Sequence, residues 1–191
     1  MPPKVKITKD DIINTALELV REGGESAINA RNIAARLSSS TQPIFSNFDN
    51  MSALRAAVAE RAYGIYLGFL EREASSGKYP EYKAFGMAYV RFAREERELF
   101  KLLFMCDTEG REISPGSDFL KSVEIIMNTN GISRERAERI HLEMWVAVHG
   151  ISAMIATSFF LPSEELISEM LSDIYHGIRE KHQGEEKNER S

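Results

Sequence analysis

The chain reads TKDDIINTALELVREGGESAINARNIAARLSSSTQPIFSNFDNMSAL from residue 8 to residue 54. This stretch predicts a first helix from about Lys9, because Thr8 and Asp11 have the spacing of a capping box. Apolar residues then recur about every 3.6 positions, which is typical of an amphipathic helix. Gly23 and Gly24 supply the backbone freedom that ends it.

Two short helices are expected next, separated by a serine-rich turn. Asn29 can cap the second helix, three consecutive serines interrupt the pattern, and Ser40 can cap the third. Pro43 falls in the first turn of the third helix, where a missing N–H costs little, and Ile44 and Phe48 are spaced to face a core. This order of helix, turn and helix is the one that places a helix in the major groove of DNA.

The rest of the chain predicts more helices and no strand, so the predicted fold class is all-α. Asn50 can cap a long fourth helix, and further helices are expected over 82–97, 99–105, 119–128, 133–160 and from 163, with a loop over 107–118. We therefore predict a three-helix head, residues 1–50, joined by a long helix to a helical body, residues 51–180. The charged segment 181–191 is expected to be a disordered tail.

Composition excludes membrane and disulfide-stabilised classes. The 191 residues are 43% hydrophobic and 28% charged, and no apolar run reaches the roughly 18 to 20 residues that cross a bilayer. No secretory signal follows the N-terminal residues, so we expect a cytoplasmic protein without a membrane partner. The single cysteine, Cys106, cannot form an intramolecular disulfide, and no Cys/His spacing resembles a zinc site. We expect no metal and no cofactor.

Motifs of catalysis are not found in the sequence. It has no phosphate-cradling glycine loop, no serine nucleophile elbow and no metalloprotease histidine pair. We therefore expect no enzymatic activity. The alternative is a helical enzyme whose carboxylates come from several helices, since such a site assembles only in three dimensions.

Charge is balanced where DNA would bind. The whole chain carries a formal net charge of −5, and the charges of the first sixty residues cancel. Any DNA contact must therefore come from local placement, and few phosphates would be neutralised. Arg31 near a helix start is one such cation, while Lys4 and Lys6 could form an arm in the minor groove or could simply be solubilising residues.

A family resemblance rests on two groups of residues. The first is similar to the N-terminal domain of TetR-type repressors and comprises Ile12, Ala16, Gly23, Ile33, Ala34, Ser40, Phe45, Phe48 and Leu54. The second, in the body, resembles the Trp and His-Gly element of one TetR C-terminal subfamily and comprises Trp145, His149 and Gly150. The resemblance implies a head that reads operator DNA, a linking fourth helix, and a body that binds a small molecule and dimerises.

Three positions depart from the family pattern. The family usually has glycine, tyrosine and lysine where this chain has Ser38, Phe45 and Met51. The tyrosine hydroxyl and the lysine of the family typically touch phosphates, so their replacement predicts weaker positioning on DNA.

The predicted partner of the head is double-stranded DNA. The residues expected to bind it are Lys4, Lys6, Arg31, Ser40, Thr41, Gln42, Phe45, Ser46 and Asn47. Gln42 and Asn47 could contact base edges, or could belong to the solvated polar face of a short helix.

The body is expected to bind a small apolar or amphipathic effector. Its aromatic and methionine side chains can line a pocket, although each can equally be core at helical spacing. The predicted lining is Met87, Phe92, Phe100, Phe104, Trp145 and His149. Trp145 and His149 lie one helical turn apart and could orient a ligand or form a hydrogen-bonded structural pair.

A homodimer is the expected assembly. Apolar stripes with small residues on the last two helices suit close packing against a second subunit, and the predicted interface is Ile151, Ile155, Met170 and Ile174. Two-fold pairing lets two recognition helices reach successive major grooves, so the operator should be palindromic. The sequence thus favours a ligand-responsive homodimeric repressor. The alternative is a ligand-binding or protein-interaction module whose head no longer reads DNA.

Overall fold

The computed structural model describes residues 7–106 and 117–189, and these two ranges contain helices and no strand. The all-α class is confirmed. The elements are α1 (Lys9–Gly23), a 3-10 turn (Glu25–Ala27), α2 (Ala30–Arg36), α3 (Gln42–Asn47), α4 (Met51–Ser75), α5 (Glu81–Glu95), α6 (Arg97–Phe104), α7 (Ser117–Asn130), α8 (Arg134–Ala156) and α9 (Glu164–Glu189). Within the same ranges, no helix has both the length and the apolar composition needed to cross a bilayer.

Three of the predicted helix starts have the predicted caps. The Asp11 N–H donates to Thr8 Oγ1 at 3.1 Å, and the Thr8 N–H donates to Asp11 Oδ2 at 2.8 Å, so the capping box of α1 is complete. Asn29 Oδ1 and Asn50 Oδ1 each accept an N–H from the first turn of α2 and α4 at 2.9 Å. The polar residues that open these helices therefore satisfy backbone donors that would otherwise have no partner.

Two predicted helix boundaries were wrong. Ser40 does not cap α3, because the residue before the helix is Thr41, whose own dihedrals are helical and whose side chain makes no capping bond. The helix predicted to run to about residue 160 ends at Ala156. Ser158 adopts a φ of 59°, and the Phe159 N–H donates back to Met154 O at 2.9 Å, which closes the helix with a left-handed turn.

The chain forms two compact units. Unit 1 comprises Met1–Tyr66 with Glu96–Cys106, and unit 2 comprises Leu67–Glu95 with Asp107–Ser191. This grouping differs from the sequence-based division at residue 50, because the first part of α4 and the whole of α6 belong with the head. The predicted loop over 107–118 lies mostly outside the described residues. The backbone of α9 is helical as far as Glu189, within the segment that was expected to be a disordered tail.

Unit 1 is built around α1, which packs against α2, α3 and α6. Ile12, Ile33, Ile44 and Leu99 come from these four helices, and each is at most 1% exposed. Burial of such side chains contributes roughly 1.5 to 3 kcal/mol each. The short helices α2 and α3 are therefore stabilised by tertiary packing, since helices of six or seven residues are not stable alone.

Unit 2 is centred on the packing of α5 against α8, with α7 and α9 completing it. Gly86 lets α5 approach its neighbours closely, because a Cβ at this position would lie 3.2 Å from Leu171 Cδ1 and 3.7 Å from Val148 Cγ2. Ile140 and Ile155 of α8 are at most 1% exposed. These positions fix which face of α8 is buried and which is left exposed.

Candidate functional site

The turn between α2 and α3 is held by backbone hydrogen bonds. The Ser38 N–H donates to Ala35 O at 3.1 Å and the Ser39 N–H donates to Ala34 O at 2.9 Å, the pattern of a Schellman motif. Ser38 has a φ of 49°, in the left-handed region that favours glycine. The backbone is thus the one that the resemblance implies, although serine stands where glycine is usual.

The outer face of α3 combines polar and aromatic side chains. Ile44 and Phe48 are 1% and 5% exposed and fix the helix on its inner side. Gln42, Phe45 and Ser46 are exposed and share one face, because they are three and four residues apart. Phe45 is 52% exposed, which is costly for an aromatic ring in water unless another surface covers it. This face can contact base edges and thymine methyl groups.

The other predicted DNA-binding residues are placed differently. The Asn47 amide donates from Nδ2 to Pro43 O at 2.8 Å and is half-buried, so part of its hydrogen-bonding capacity is used within the helix. Thr41 is half-buried, whereas Ser40 and Arg31 are exposed. The two predicted arm lysines, Lys4 and Lys6, lie outside the described residues.

Most arginines of unit 1 are held in internal ion pairs. Four pairs join Arg21 to Glu96 at 2.7 Å, Arg36 to Glu22 at 2.5 Å, Arg55 to Glu25 at 3.1 Å and Arg61 to Asp10 at 2.6 Å. The hydrogen bond from Arg36 lowers the pKa of the Glu22 carboxyl. Arg31 has no ion-pair partner in the part of the chain that the structure describes. Its exposed guanidinium is therefore available to an anion from outside the chain.

This pairing could not be derived from the sequence. Arg21 and Glu96 are far apart along the chain, and they meet because α6 returns to unit 1. Their contact is bidentate, with Arg21 Nε donating to Glu96 Oε2 at 2.8 Å and Nη2 donating to Oε1 at 2.7 Å. The balanced charges of the head predicted neutrality, but only the fold shows which cations remain available.

The residues predicted to line a ligand pocket are divided between the two units. Phe100 and Phe104 belong to unit 1, where Phe104 packs edge-on against Tyr66 with ring centroids 5.3 Å apart. Met87 and Phe92 are 3% and 0% exposed and form core in unit 2. For these two residues the structure favours the core reading that the sequence left open.

Trp145 and His149 lie at the surface of unit 2. Their rings stack with centroids 5.3 Å apart, and the Tyr89 hydroxyl lies 3.0 Å from His149 Nδ1. Burial lowers the pKa of the His149 imidazole, so the ring is neutral at neutral pH and hydrogen-bonds with the Tyr89 hydroxyl. Trp145 remains 44% exposed. The pair is a structural element of α8 that also presents an indole to the outside.

A cavity of about 200 Å³ opens elsewhere in unit 2, and none of the predicted pocket residues lines it. Its lining is mostly charged and consists of Phe69, Arg72, Glu73, Ser76, Lys78, Arg91 and Glu95. The sequence missed this site because the aromatic and methionine pattern drew attention away from charged residues near the ends of α4 and α5. No group of three or more potential metal ligands occurs within the described ranges.

The predicted dimer residues fall into two classes. Ile151 and Ile155 are 4% and 0% exposed within a single chain, so they have no surface left for a partner and are core residues. Met170 and Ile174 of α9 are half-buried.

The exposed apolar residues of α8 form a separate surface. Leu142, Trp145 and Val146 are 55%, 44% and 59% exposed and lie on one side of the helix. Gly150 continues this side, and a Cβ built on it meets no atom within 4 Å. We call these four residues the α8 face.

The helical body is similar to a known protein family. Residues 82–174 match the family described as tetracyclin repressor-like, C-terminal domain. This match, over 93 of the 191 residues, supports a relationship to the TetR family. No curated protein matches the chain significantly.

Solved structures share the fold of this chain at low identity. A protein with unknown function from Rhodococcus sp. RHA1 is 21% identical with a TM-score of 0.74, over 93% of this chain and 98% of that one. A TetR-like transcriptional regulator from the same organism is 12% identical with a TM-score of 0.65, over 92% and 96%. A TetR variant from Acinetobacter baumannii AYE in complex with minocycline is 18% identical with a TM-score of 0.59, over 93% and 99%. Family and fold support a transcriptional regulator.

Proposed function

We propose that the protein is a ligand-responsive, homodimeric transcriptional repressor that binds a palindromic operator. The observation that carries this proposal is the outer face of α3, where Gln42, Phe45 and Ser46 are exposed on a helix anchored from below by Ile44 and Phe48. A polar face with an exposed aromatic ring matches what major-groove contact needs. The proposal places the protein in the cytoplasm with its DNA and assigns it no enzymatic activity.

Phosphate contacts are few in this proposal. Arg31, near the start of α2, is exposed and has no ion-pair partner among residues 7–106 and 117–189. The arm lysines Lys4 and Lys6 stay a prediction. Because phosphates position the protein while bases specify the site, recognition would depend on Gln42 and Phe45 more than on general electrostatics.

The α8 face supports the homodimer. Leu142, Trp145 and Val146 would be covered by a second copy, and Gly150 would allow the helices to approach closely. Half-buried Met170 and Ile174 of α9 would complete the interface. A two-fold dimer would place two α3 helices in successive major grooves about 34 Å apart.

The effector would act by population shift. A small apolar or amphipathic molecule that prefers the form with misplaced α3 helices would weaken operator affinity by its differential affinity for the two forms. An effector that saturates the protein and leaves operator affinity unchanged would contradict this part of the proposal.

The first experiment is selection of binding sites from random duplex DNA at low salt, using the full chain. We expect enrichment of a palindrome and loss of its binding in Gln42→Ala with the oligomeric state unchanged. Arg36→Gln serves as the matched control, because that exposed side chain is paired with Glu22 and is not assigned to DNA.

A second candidate function is a ligand-binding or protein-interaction module without DNA competence. The internal pairing of Arg21, Arg36, Arg55 and Arg61 favours it, since these cations are not free to neutralise phosphates. Failure to enrich any site at low salt, with a folded dimeric protein, would select this alternative.

A further inference from the structure

The charged cavity of unit 2 is small and partly open to solvent. It lies beside the last turns of α4 and α5 and the segment that joins these helices, and its volume is about 200 Å³. Pockets for drug-sized ligands usually measure about 300 to 1,000 Å³. The cavity therefore suits a ligand of few heavy atoms.

One side of the cavity is a compensated ion network. Glu73 is 3% exposed, and its Oε2 accepts from Arg91 Nη1 at 2.6 Å. Arg91 Nη2 also reaches Glu164 at 3.2 Å, and Lys78 Nζ donates to the same carboxylate at 2.6 Å. The hydrogen bond from Lys78 lowers the pKa of the Glu164 carboxyl. These four charges satisfy one another and have little need of a ligand.

Two charged residues of the lining, Arg72 and Glu95, lie outside this ion network. Neither Arg72 nor Glu95 forms an ion pair, with each other or with another group, within the described part of the chain. The Arg72 guanidinium lies over the Phe69 ring, 4.4 Å from its centroid, and Arg72 Nε donates to Gly68 O at 3.3 Å. A cation held this way over an aromatic face is oriented before a ligand arrives.

The charges around the cavity cancel. Three cations, Arg72, Lys78 and Arg91, stand beside three carboxylates, which are Glu73 and Glu95 in the lining and Glu164 behind Lys78. A ligand with net charge would bring an uncompensated charge into a partly enclosed space, and an apolar ligand would cover Arg72 and Glu95 without hydrogen bonds. Both cases are unfavourable. A ligand with two separated, opposite charges avoids both costs.

We propose that this cavity binds a small zwitterion of the α-amino acid class. Its carboxylate pairs with the Arg72 guanidinium, its ammonium group pairs with Glu95, and its side chain packs beside Phe69. The proposal deepens the proposed function, because it names the effector class of the regulator. It can be tested by direct binding in the absence of DNA.

The test is calorimetric titration of the full chain with leucine, isocaproate and isoamylamine. These three share an apolar skeleton. Leucine carries both charges, isocaproate carries only the carboxylate, and isoamylamine carries only the ammonium group. Alanine, propionate and ethylamine repeat the series at smaller size. We expect an amino acid to bind about tenfold more tightly than either of its singly charged analogues, because each added ion pair strengthens binding.

Two variants test which charged group of the ligand pairs with Arg72 and which pairs with Glu95. Arg72→Gln should remove the preference for the amino acid over the amine, and Glu95→Gln should remove its preference over the carboxylate. Both side chains are exposed, so the fold should be retained, and circular dichroism melts check this. Arg134→Gln is the control, because that arginine of unit 2 pairs with Glu138 at 2.8 Å and does not line the cavity.

Specific results would overturn the proposal. One is the lack of saturable binding of both amino acids at millimolar concentration. Another is equal binding of an amino acid and its singly charged analogues by the unaltered protein. A third is that neither variant changes the preference for the amino acid over these analogues. Operator selection uses no amino acid, so a failure here leaves the DNA-binding proposal standing. A failure of operator selection likewise leaves this titration interpretable.

Discussion

Ser38 is a residue whose backbone conformation conflicts with its side chain. Its φ of 49° lies in the left-handed region, where an L side chain costs roughly 1 to 2 kcal/mol. Glycine carries no such cost but loses more conformational entropy on folding. Ser38→Gly is therefore expected to raise the free energy of unfolding by about 0.5 to 1 kcal/mol.

Urea unfolding followed by circular dichroism measures this change. Ser39→Gly is the matched control, because Ser39 does not have a positive φ and glycine there should lower stability. A gain in stability at Ser39 as large as that at Ser38 would contradict the explanation.

His141 makes stability depend on pH. Burial lowers the pKa of its imidazole from 6.5 to about 4, although Asp118 acts in the opposite direction. As pH falls, the unfolded chain takes up this proton before the folded one does. The stabilisation that comes from the neutral His141 imidazole is thus fully present above about pH 6.5 and is lost as the pH falls towards 4. The free energy of unfolding changes by about 3 kcal/mol over this range.

The variant His141→Gln tests this dependence, because glutamine does not titrate. Between about pH 7 and pH 4, the unaltered protein should lose more free energy of unfolding than the variant. The Tyr82 hydroxyl lies 3.0 Å from His141 Nδ1, and the glutamine amide can replace the imidazole as its hydrogen-bond partner. Parallel pH profiles for the two proteins would refute the assignment.

At the scale of one helix, we expect the two sides of α3 to have separate roles. Phe45→Ala should weaken operator binding about tenfold, because the ring is exposed and free to contact thymine methyl groups. The same change should leave stability nearly unaltered. Ile44→Ala is the contrast, since this neighbour is 1% exposed and its truncation should cost about 2 to 4 kcal/mol of stability. Gel-shift titration and urea unfolding separate the two effects.

The α8 face makes a prediction about assembly. Leu142→Glu should abolish the proposed dimer, because a carboxylate would be buried without a partner at the interface. Leu120→Glu is the control, since Leu120 of α7 is 49% exposed, close to the 55% of Leu142, and lies outside the α8 face. Sedimentation velocity measures the oligomeric state of each variant. A dimeric Leu142→Glu protein would show that the interface does not include the α8 face.

Helix identity was largely predictable, whereas helix rotation was not. Caps and anchors such as Thr8, Asn29 and Ile44 act within a few residues, so the sequence contains their signal. The burial of Ile151 and Ile155 depends on which side of α8 meets α5, and this is decided by packing between distant segments. Ile151 and Ile155 were expected at the dimer interface for this reason, whereas they are buried within one chain; Gln42, Phe45 and Ser46 lie on the exposed face as expected.

For the whole molecule, the internal ion pairs would limit how steeply the proposed DNA binding responds to salt. Each neutralised phosphate contributes about −0.9 to the slope of log K against log salt concentration. With Arg31 and the two arm lysines in each subunit of a dimer, six phosphate contacts would give a slope no steeper than about −5.4.

One pair of variants tests the source of this slope. Arg31→Gln should make it shallower by about 2 for the dimer, because one phosphate contact is lost in each subunit. Arg36→Gln should leave it unchanged, since that guanidinium is paired with Glu22. Equal slopes for both variants would show that Arg31 does not meet a phosphate.

Trp145 can serve as an intrinsic fluorescent probe because of its position. It is the single tryptophan of the chain, it lies on the α8 face, and its ring stacks on His149. Covering the indole with a second subunit should shift its fluorescence to shorter wavelength, and charging the stacked imidazole should quench it. Emission spectra recorded on dilution and on acidification would thus follow association and His149 protonation without any label.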